Sequence, residues 1–476
     1  MRTRDLIAHE WKIRLSRPAA LASLMLFAMT LVYGAFSGGV QLDTRLRAIA
    51  GHETEVATLM TKWRADLLAL EENNTQAGVP PWAGSPMDAM FASSLPPAPL
   101  ADYAIGQADL LPYYGTLSLW DPDTRTFSRY ELADPVALAL GGLDLSKAVL
   151  LMLPLLLIVL TFDVLSSERD AGRLALTMVQ AASIQSLFWR RLLIRSAAAL
   201  LLVLILSLAA VAARAAPPST AERLLHYLLW LLAASCYAGF WIALISFIAG
   251  RNRSGVSNVM LLLLAWAGLT LVVPAGVGAV VEMIYPTPSR LTYLEQSRAI
   301  EIETELAEPQ IAQQLVLDHP ELFAAQASAI PAYVRSAFLV TSRVDKATSK
   351  VLTAFEDAAS RRERALSVLG FTSPTVIVHG LFNEIAGTSA ARQRRYTMQA
   401  RAFKREYAKQ AAGHILMGQR LPAREAAGLA RFQFVDEPLA ARLRLHAKAL
   451  LALMAATGLL LILAQRRLRH AGMRED

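Results

Sequence analysis

Apolar residues along this chain come in blocks. Six stretches carry almost no charge: residues 19–36, 147–165, 194–213, 224–249, 259–281 and 445–464. As α-helices rising about 1.5 Å per residue, blocks of this length match a hydrocarbon layer about 30 Å thick. Each is therefore expected to be a transmembrane helix. Residues 3–17 follow another pattern. Ile7, Trp11 and Leu15 recur every four residues among Arg4, Lys12, Arg14 and Arg17, with Pro18 closing the segment. This suits a helix lying in the cytoplasmic headgroup layer, an amphipathic helix packed on protein being the lesser alternative. The first block has no convincing small-residue cleavage site, so an uncleaved helix is expected.

The two long connections have patterns of their own. Within 37–146, residues 43–70 place Leu46, Ile49, Val56, Leu59 and Leu67 near one helical face. Pro80, Pro81, Pro86, Pro96, Pro97 and Pro99 follow and exclude regular structure there. Residues 113–130 suggest a short strand pair around the turn Asp121-Pro-Asp-Thr. Within 282–444, helices are expected at 290–317, 331–369 and 390–412. The connections together are large enough to bury a core. The expected fold is an all-α polytopic membrane protein of six transmembrane helices, plus a mainly helical exoplasmic domain built from two insertions.

Charge gives the orientation. Residues 1–18 hold five Lys/Arg, 167–195 hold five, Arg251 and Arg253 sit in a short loop, and the tail 465–476 carries Arg466, Arg467, Arg469 and Arg474. With six spans all of these fall on one side, the cytoplasm by the positive-inside rule. Segments 1–18, 166–193 and 465–476 are then cytoplasmic, both termini included, in a bacterial inner membrane. Insertion 37–146 has six Lys/Arg against fourteen Asp/Glu, whereas 282–444 has twenty-one against seventeen. Long segments cross largely regardless of charge, so the second ratio is neutral. The net charge of +8 reads as a topology signal and not a nucleic-acid footprint.

Other chemistry is sparse. The single cysteine, Cys236, lies in an apolar block, and eight scattered histidines lack ligand spacing, so no metal or cofactor is expected. No G-x-x-x-x-G-K-[ST] loop, H-E-x-x-H or G-x-S-x-G motif occurs, and no catalytic residue is assigned. Asp163, Glu282, Lys147 and Lys448 stand at block ends, where anchoring is the simpler role. Pro154 and Pro274 interrupt the second and fifth blocks and are candidate helix hinges. Tyr227, Trp230, Tyr237, Phe240 and Trp241 crowd the fourth, for packing or lipid contact.

The most informative stretch begins where the second block ends, at Phe162-Asp-Val-Leu-Ser-Ser-Glu-Arg-Asp-Ala-Gly-Arg-Leu. An apolar helix leaves the membrane, meets Glu168 and Arg169, turns near Gly172 and returns through Trp189-Arg-Arg-Leu. Such an elbow can receive a push from a soluble partner, although Glu168 and Arg169 could also simply pair at the interface. The pattern F-x5-E-R-x2-G-x-L after an apolar helix resembles the permeases of type 2 (ABC-2 class) ABC exporters. Asp134-Pro, Gly141-Gly-Leu-Asp, Leu153-Pro-Leu-Leu-Leu-Ile, Ser373-Pro and Ala386-Gly-Thr-Ser resemble a branch with large exoplasmic insertions between helices one and two and between five and six. The resemblance implies a coupling helix at Glu168, Arg169, Gly172, Arg173 and Leu174, with Arg191 at the basic position before the third span. Arg173 departs from the threonine often found there. It further implies a separate ABC ATPase subunit holding ATP and Mg, a second identical or related permease, and contact with membrane lipids; the size of the outer domain, more than simple small-molecule export would need, suggests that it engages substrate or a periplasmic protein. Two other classes remain: a membrane-anchored sensor or scaffold with a ligand-binding periplasmic domain, and a polytopic lipid-modifying enzyme. The first would need a cytoplasmic output domain and the second clustered Asp/Glu/His at one membrane face.

Overall fold

The computed structural model describes residues 10–11, 18–72, 79, 83–106, 111–127, 142–164, 166, 184–214, 220–251, 254–286, 290–307, 313 and 329–472. These residues are mostly helical. The apolar blocks become α1 (Pro18–Glu71), α2 (Leu145–Thr161), α3 (Ile184–Ala213), α4 (Thr220–Ala249), α5 (Gly255–Ile284) and α10 (Leu439–Gly472). Between α5 and α10 lie α6 (Arg290–Leu306), α7 (Ala332–Leu369), α8 (Pro374–Ala386) and α9 (Ala390–Leu416). Five helices, α1, α3, α4, α5 and α10, are long and apolar enough to cross a membrane. Their outward faces keep large apolar side chains exposed: Met29 and Phe36 on α1, Ile205 on α3, Leu264 on α5, Leu451 on α10. Water would not tolerate such a belt. At 17 residues α2 is shorter, and it lies inside the bundle with Ala148, Val149, Leu153, Leu157 and Ile158 buried.

The first span does not stop at residue 36. No proline falls between Pro18 and Glu71, and α1 runs on for 54 residues, about 80 Å at 1.5 Å per residue. The expected span and the expected helix at 43–70 are one rod that leads from the bundle into a distal domain. Of the face expected to be apolar, Ile49, Val56 and Leu67 are buried while Leu46 and Leu59 are exposed.

The two long connections pack on each other. Trp63 and Leu67 of α1 join Met87, Phe91, Leu117, Val334, Tyr396, Tyr407 and Ile415 in one core. Trp63 Nε1 donates to the Ser85 carbonyl at 3.1 Å, and Tyr407 Oη donates to the Pro86 carbonyl at 2.6 Å. The strand pair differs from expectation. β2 (Tyr114–Ser118) pairs antiparallel with β1 (Met90–Ser94), with Phe91 opposite Leu117, and 123–127 form only turns. β2 faces an upstream partner because Leu117 must share the core with Phe91; the Asp121 turn leads no second strand there. The chain between the strands drops onto the bundle, where Tyr103 packs edge-on against Trp230 with centroids 5.2 Å apart.

Bundle and domain meet at a polar collar. Arg214 of the α3 end grips Asp43 of α1 with two 3.0 Å hydrogen bonds. Arg223 of α4 donates to Asp102 at 3.0 Å and to the Pro99 carbonyl at 3.0 Å. Asp144 caps α2 through Lys147 N–H at 2.7 Å and takes Ile105 N–H at 3.0 Å. Gly38 lets α1 approach this collar, since a Cβ there would run into the Asp102 carbonyl. Gly51, on the same rod, has open space around it.

Two predictions follow from this packing. Gly38→Ala forces backbone apart and should cost about 1–3 kcal/mol, whereas Gly51→Ala should gain about 0.5–1 kcal/mol from helix propensity. Thermal unfolding of the detergent-solubilised chain reads both, and equal shifts would contradict the close approach. The second concerns Asp345 on α7, which shares Lys404 with Asp123 at 3.7 and 3.1 Å. Burial, opposed by Lys404 and reinforced by Asp123, pushes its carboxyl from 3.8 up to about 6. A raised acid binds its proton more tightly when folded, so its stabilising share is complete below about 4 and is lost as pH rises through 6. Asp345→Asn should flatten the stability profile between pH 4 and 6.5; an unchanged slope would exclude Asp345 as its source.

Candidate functional site

Both candidate hinge prolines lie in the structure, and one polar chain joins them. Pro154 sits inside α2 and has no N–H to offer the Leu150 carbonyl four residues back. Tyr237 of α4 fills that gap, its hydroxyl donating to Leu150 O at 2.8 Å. The same hydroxyl lies 3.1 Å from Thr375 Oγ1, which lies 3.3 Å from Thr270 Oγ1.

Thr270 belongs to a π turn, Gly268–Val272, immediately before Pro274. There the Val273 N–H bonds Gly268 O, five residues back. Leu269 O thus loses its α-helical donor, and Pro274, which would be its π donor, has no N–H. Ser373 Oγ donates to Leu269 O at 2.7 Å instead. Two helix breaks therefore leave two carbonyls at the middle of an apolar bundle, and hydroxyls from α4 and the start of α8 satisfy both.

The local sequence explains why α8 starts here. Ser373 caps the helix by accepting Val376 N–H at 3.3 Å, and Pro374 occupies the first turn, where a missing N–H costs nothing. α8 then runs beside α4, with Phe382 stacked on Trp230 at 5.1 Å, and ends at Gly387 in the left-handed region. Tyr227, Trp230, Tyr237 and Trp241 are all buried, so the aromatic cluster of α4 packs the bundle and does not face outward.

The opposite end of α2 is held by charge. Arg195 of α3 donates to Asp163 at 2.9 Å and to Glu10 at 2.7 Å, and Arg191 Nε lies 3.0 Å from Glu10. All four side chains are buried, and their charges sum to zero. Such a cluster fixes the segment before α1, the end of α2 and the start of α3 relative to one another. Ser166, which follows, packs on Gly255, where an added Cβ would come within 3.0 Å of its Oγ.

Of the sequence-derived site residues, Arg191, Pro154 and Pro274 fall in described structure. Glu168, Arg169, Gly172, Arg173 and Leu174 lie outside the described residues, as does most of the expected interfacial helix. Asp163 is a partner in the buried ionic cluster and not a simple interfacial anchor. Glu10, Thr270 and Thr375 escaped the sequence reading, Arg195 entered it only as a topology charge, and Tyr237 only as one of the packing or lipid-contacting aromatics. Tyr237 could have been found by asking which hydroxyl completes the carbonyl that Pro154 leaves free. α8 was also missed: 13 residues are too few to span, yet an apolar run of that length marks a buried or re-entrant helix.

Residues 290–435 match a family described as a domain of unknown function, DUF3526. The match covers α6 to α9 and stops before α10, so it includes α8 and most of the distal domain's second half. No curated protein matches the chain.

The carbonyl argument makes a specific prediction. Tyr237→Phe should destabilise the solubilised protein by about 1–3 kcal/mol, the cost of an unsatisfied buried acceptor. In a Pro154→Ala background the restored N–H can serve Leu150 O, so the same change should cost distinctly less. A double-mutant cycle by thermal unfolding with zero coupling would refute the link.

Proposed function

We propose that this chain is the membrane-spanning permease of a type 2 ABC exporter, driven by ATP hydrolysis in a separate ATPase subunit. The observation that carries the reading is the polar link between the breaks in α2 and α5 across Ser373 and Thr375. In this reading α2 is a sixth span, the basic base of the bundle faces the cytoplasm with both termini, and the distal domain is exoplasmic. The setting is a bacterial inner membrane.

A push on the 166–183 elbow would reach α2 and α3 together, because Asp163, Arg195, Arg191 and Glu10 tie their ends. Glu168, Arg169, Gly172, Arg173 and Leu174 would seat that elbow in a cleft of the ATPase. Motion of α2 would be absorbed at Pro154, where one side-chain hydroxyl, not a backbone N–H, completes the Leu150 carbonyl. Through Thr375 it would pass to Thr270 beside the break in α5 and to α8, which leads into α9 and the distal domain. Hinge motion of packed helices about a few such positions is an ordinary way to couple distant ends of a protein. A second permease, identical or related, would complete the pathway, and ATP with Mg would bind only the partner ATPase.

The test is co-purification from the native host. Solubilised wild-type chain should retain an ATPase subunit and stimulate its hydrolysis, and Glu168→Ala with Arg169→Ala should reduce retention by about tenfold or more. Absence of any ATPase, or an unaffected double variant, would end the exporter reading.

A further inference from the structure

A cavity of about 670 Å³ opens where the distal domain meets α8 and the first turns of α10, at His446. Its size falls within the range of small-molecule sites, roughly 300–1,000 Å³. One wall comes from α6 and α7, with Leu294, Leu352, Phe355 and Leu366, and it is greasy. Another comes from α8, whose Asn383 and Glu384 line the floor. Arg362 and Arg401 line the rim from α7 and α9.

Depth says what kind of molecule reaches this place. The start of α8 is fixed to mid-helix positions of α4 and α5 through Tyr237 and Leu269, and its later turns lie against Trp230. The last turns of α7 descend beside the end of α5, where Arg362 pairs with Glu282 at 2.8 Å. Around this junction Met283, Ile284, Val368 and Phe371 are exposed apolar residues. With α5 and α10 as spans, the cavity lies at the level of one leaflet's headgroups and upper acyl chains.

The unmet polar atoms say what the molecule must offer. Among the described residues, Asn383 Oδ1 and Glu384 Oε2 are buried acceptors without a hydrogen-bond donor. On the rim, Arg362 Nε and Arg401 Nε are buried donors without an acceptor, although each arginine has an ion-pair partner, Glu282 and Glu356. Glu384 itself is almost fully buried; Ser389 hydrogen-bonds its carboxylate, Arg442 and Arg395 attract it, and His446 Nε2 is 4.0 Å away, yet Oε2 has no donor. An acidic group this buried needs a charge-assisted partner. An anionic head alone would satisfy the arginines and leave the acidic floor orphaned, while an amine alone would do the reverse.

We propose that the cavity binds a zwitterionic, amine-bearing phospholipid taken from the leaflet at this end of the bundle. Its amine sits against Asn383 and Glu384, its phosphate against Arg362 and Arg401, and its acyl chains lie along Leu294, Leu352, Phe355 and Leu366. This rests on the permease reading for its purpose, and names the lipid class such a permease would recognise.

Native mass spectrometry of the full chain in mild detergent provides the test, with palmitoyl-oleoyl phosphatidylethanolamine or palmitoyl-oleoyl phosphatidylglycerol added at equal concentration. Wild type should retain the ethanolamine lipid roughly tenfold better, the size of one charge-assisted hydrogen bond. Glu384→Gln should erase that preference while keeping the side chain's shape. Leu352→Trp should fill the cavity and abolish retention of both lipids, with Ala359→Trp as a second blocking variant if the first elutes as aggregate. Equal retention of the two lipids by wild type would overturn the proposal. So would ethanolamine-lipid retention unchanged in a well-folded blocking variant. The assay contains no ATPase, so it fails or succeeds independently of the co-purification experiment.

Discussion

A backbone carbonyl at the apolar centre of a bundle has no water to turn to, and leaving it bare costs several kcal/mol. Most of what is unusual in this structure answers that constraint. Pro154 and the π turn before Pro274 strand the carbonyls of Leu150 and Leu269 in neighbouring helices. Tyr237 and Ser373 complete them. Because Ser373 must reach Leu269, α8 has to begin deep within the bundle. Because α8 begins there, α7 must descend to deliver it and α9 must rise from its far end. The cavity is the space these three helices and α6 enclose as they pass.

The base and the middle of α2 are held by forces of different strength. At the base, Arg195 serves both Asp163 and Glu10 in a buried setting, and removing a partner from such a cluster typically costs about 3–5 kcal/mol. At mid-helix the joints are neutral hydroxyl–carbonyl bonds, each with a net contribution of about 1 kcal/mol. On the permease proposal, a load applied at the base would move the ionic cluster as a block and bend the helix where the weaker bonds are. Bending is concentrated by chemistry, and the prolines mark where.

Much of this was legible in the residues, and the exceptions have physical reasons. Long apolar blocks flanked by arginine identified the bundle helices, since length and hydropathy are nearly sufficient for that. The extent of α1 was misjudged because hydropathy ends at residue 36 while helix propensity continues; a rod leaving a membrane changes its composition, not its conformation. Helices expected at 290–317, 331–369 and 390–412 correspond to α6 (290–306), α7 (332–369) and α9 (390–416) among the described residues. β1 was missed because its partner lies beyond an intervening excursion onto the bundle. At the site, the prolines were found as breaks, but the hydroxyls that complete the stranded carbonyls sit 87 and 104 residues from them in sequence, Tyr237 for Leu150 and Ser373 for Leu269. Arg195 looked like a topology charge and Glu10 drew no notice, and only their packing makes them an ionic cluster.

One helix reaches both the proline breaks and the cavity. α8 carries Ser373 and Thr375 at one end, bonded toward the breaks in α2 and α5, and Asn383 and Glu384 at the other, facing the cavity. The packed 13-residue helix that carries both pairs behaves as a rigid lever, not a spring. A molecule seated on Asn383 and Glu384 that binds one tilt of α8 better than another therefore biases the hinge by that same difference in free energy. By reciprocity, a hinge moved from the base changes the affinity of the cavity by an equal factor. Transmission between the two ends requires no long relay of side chains. It requires that α8 keep its hydroxyl contacts at the deep end, which is why the carbonyls stranded by proline, and not the size of the distal domain, set the geometry at which anything could be gripped and released.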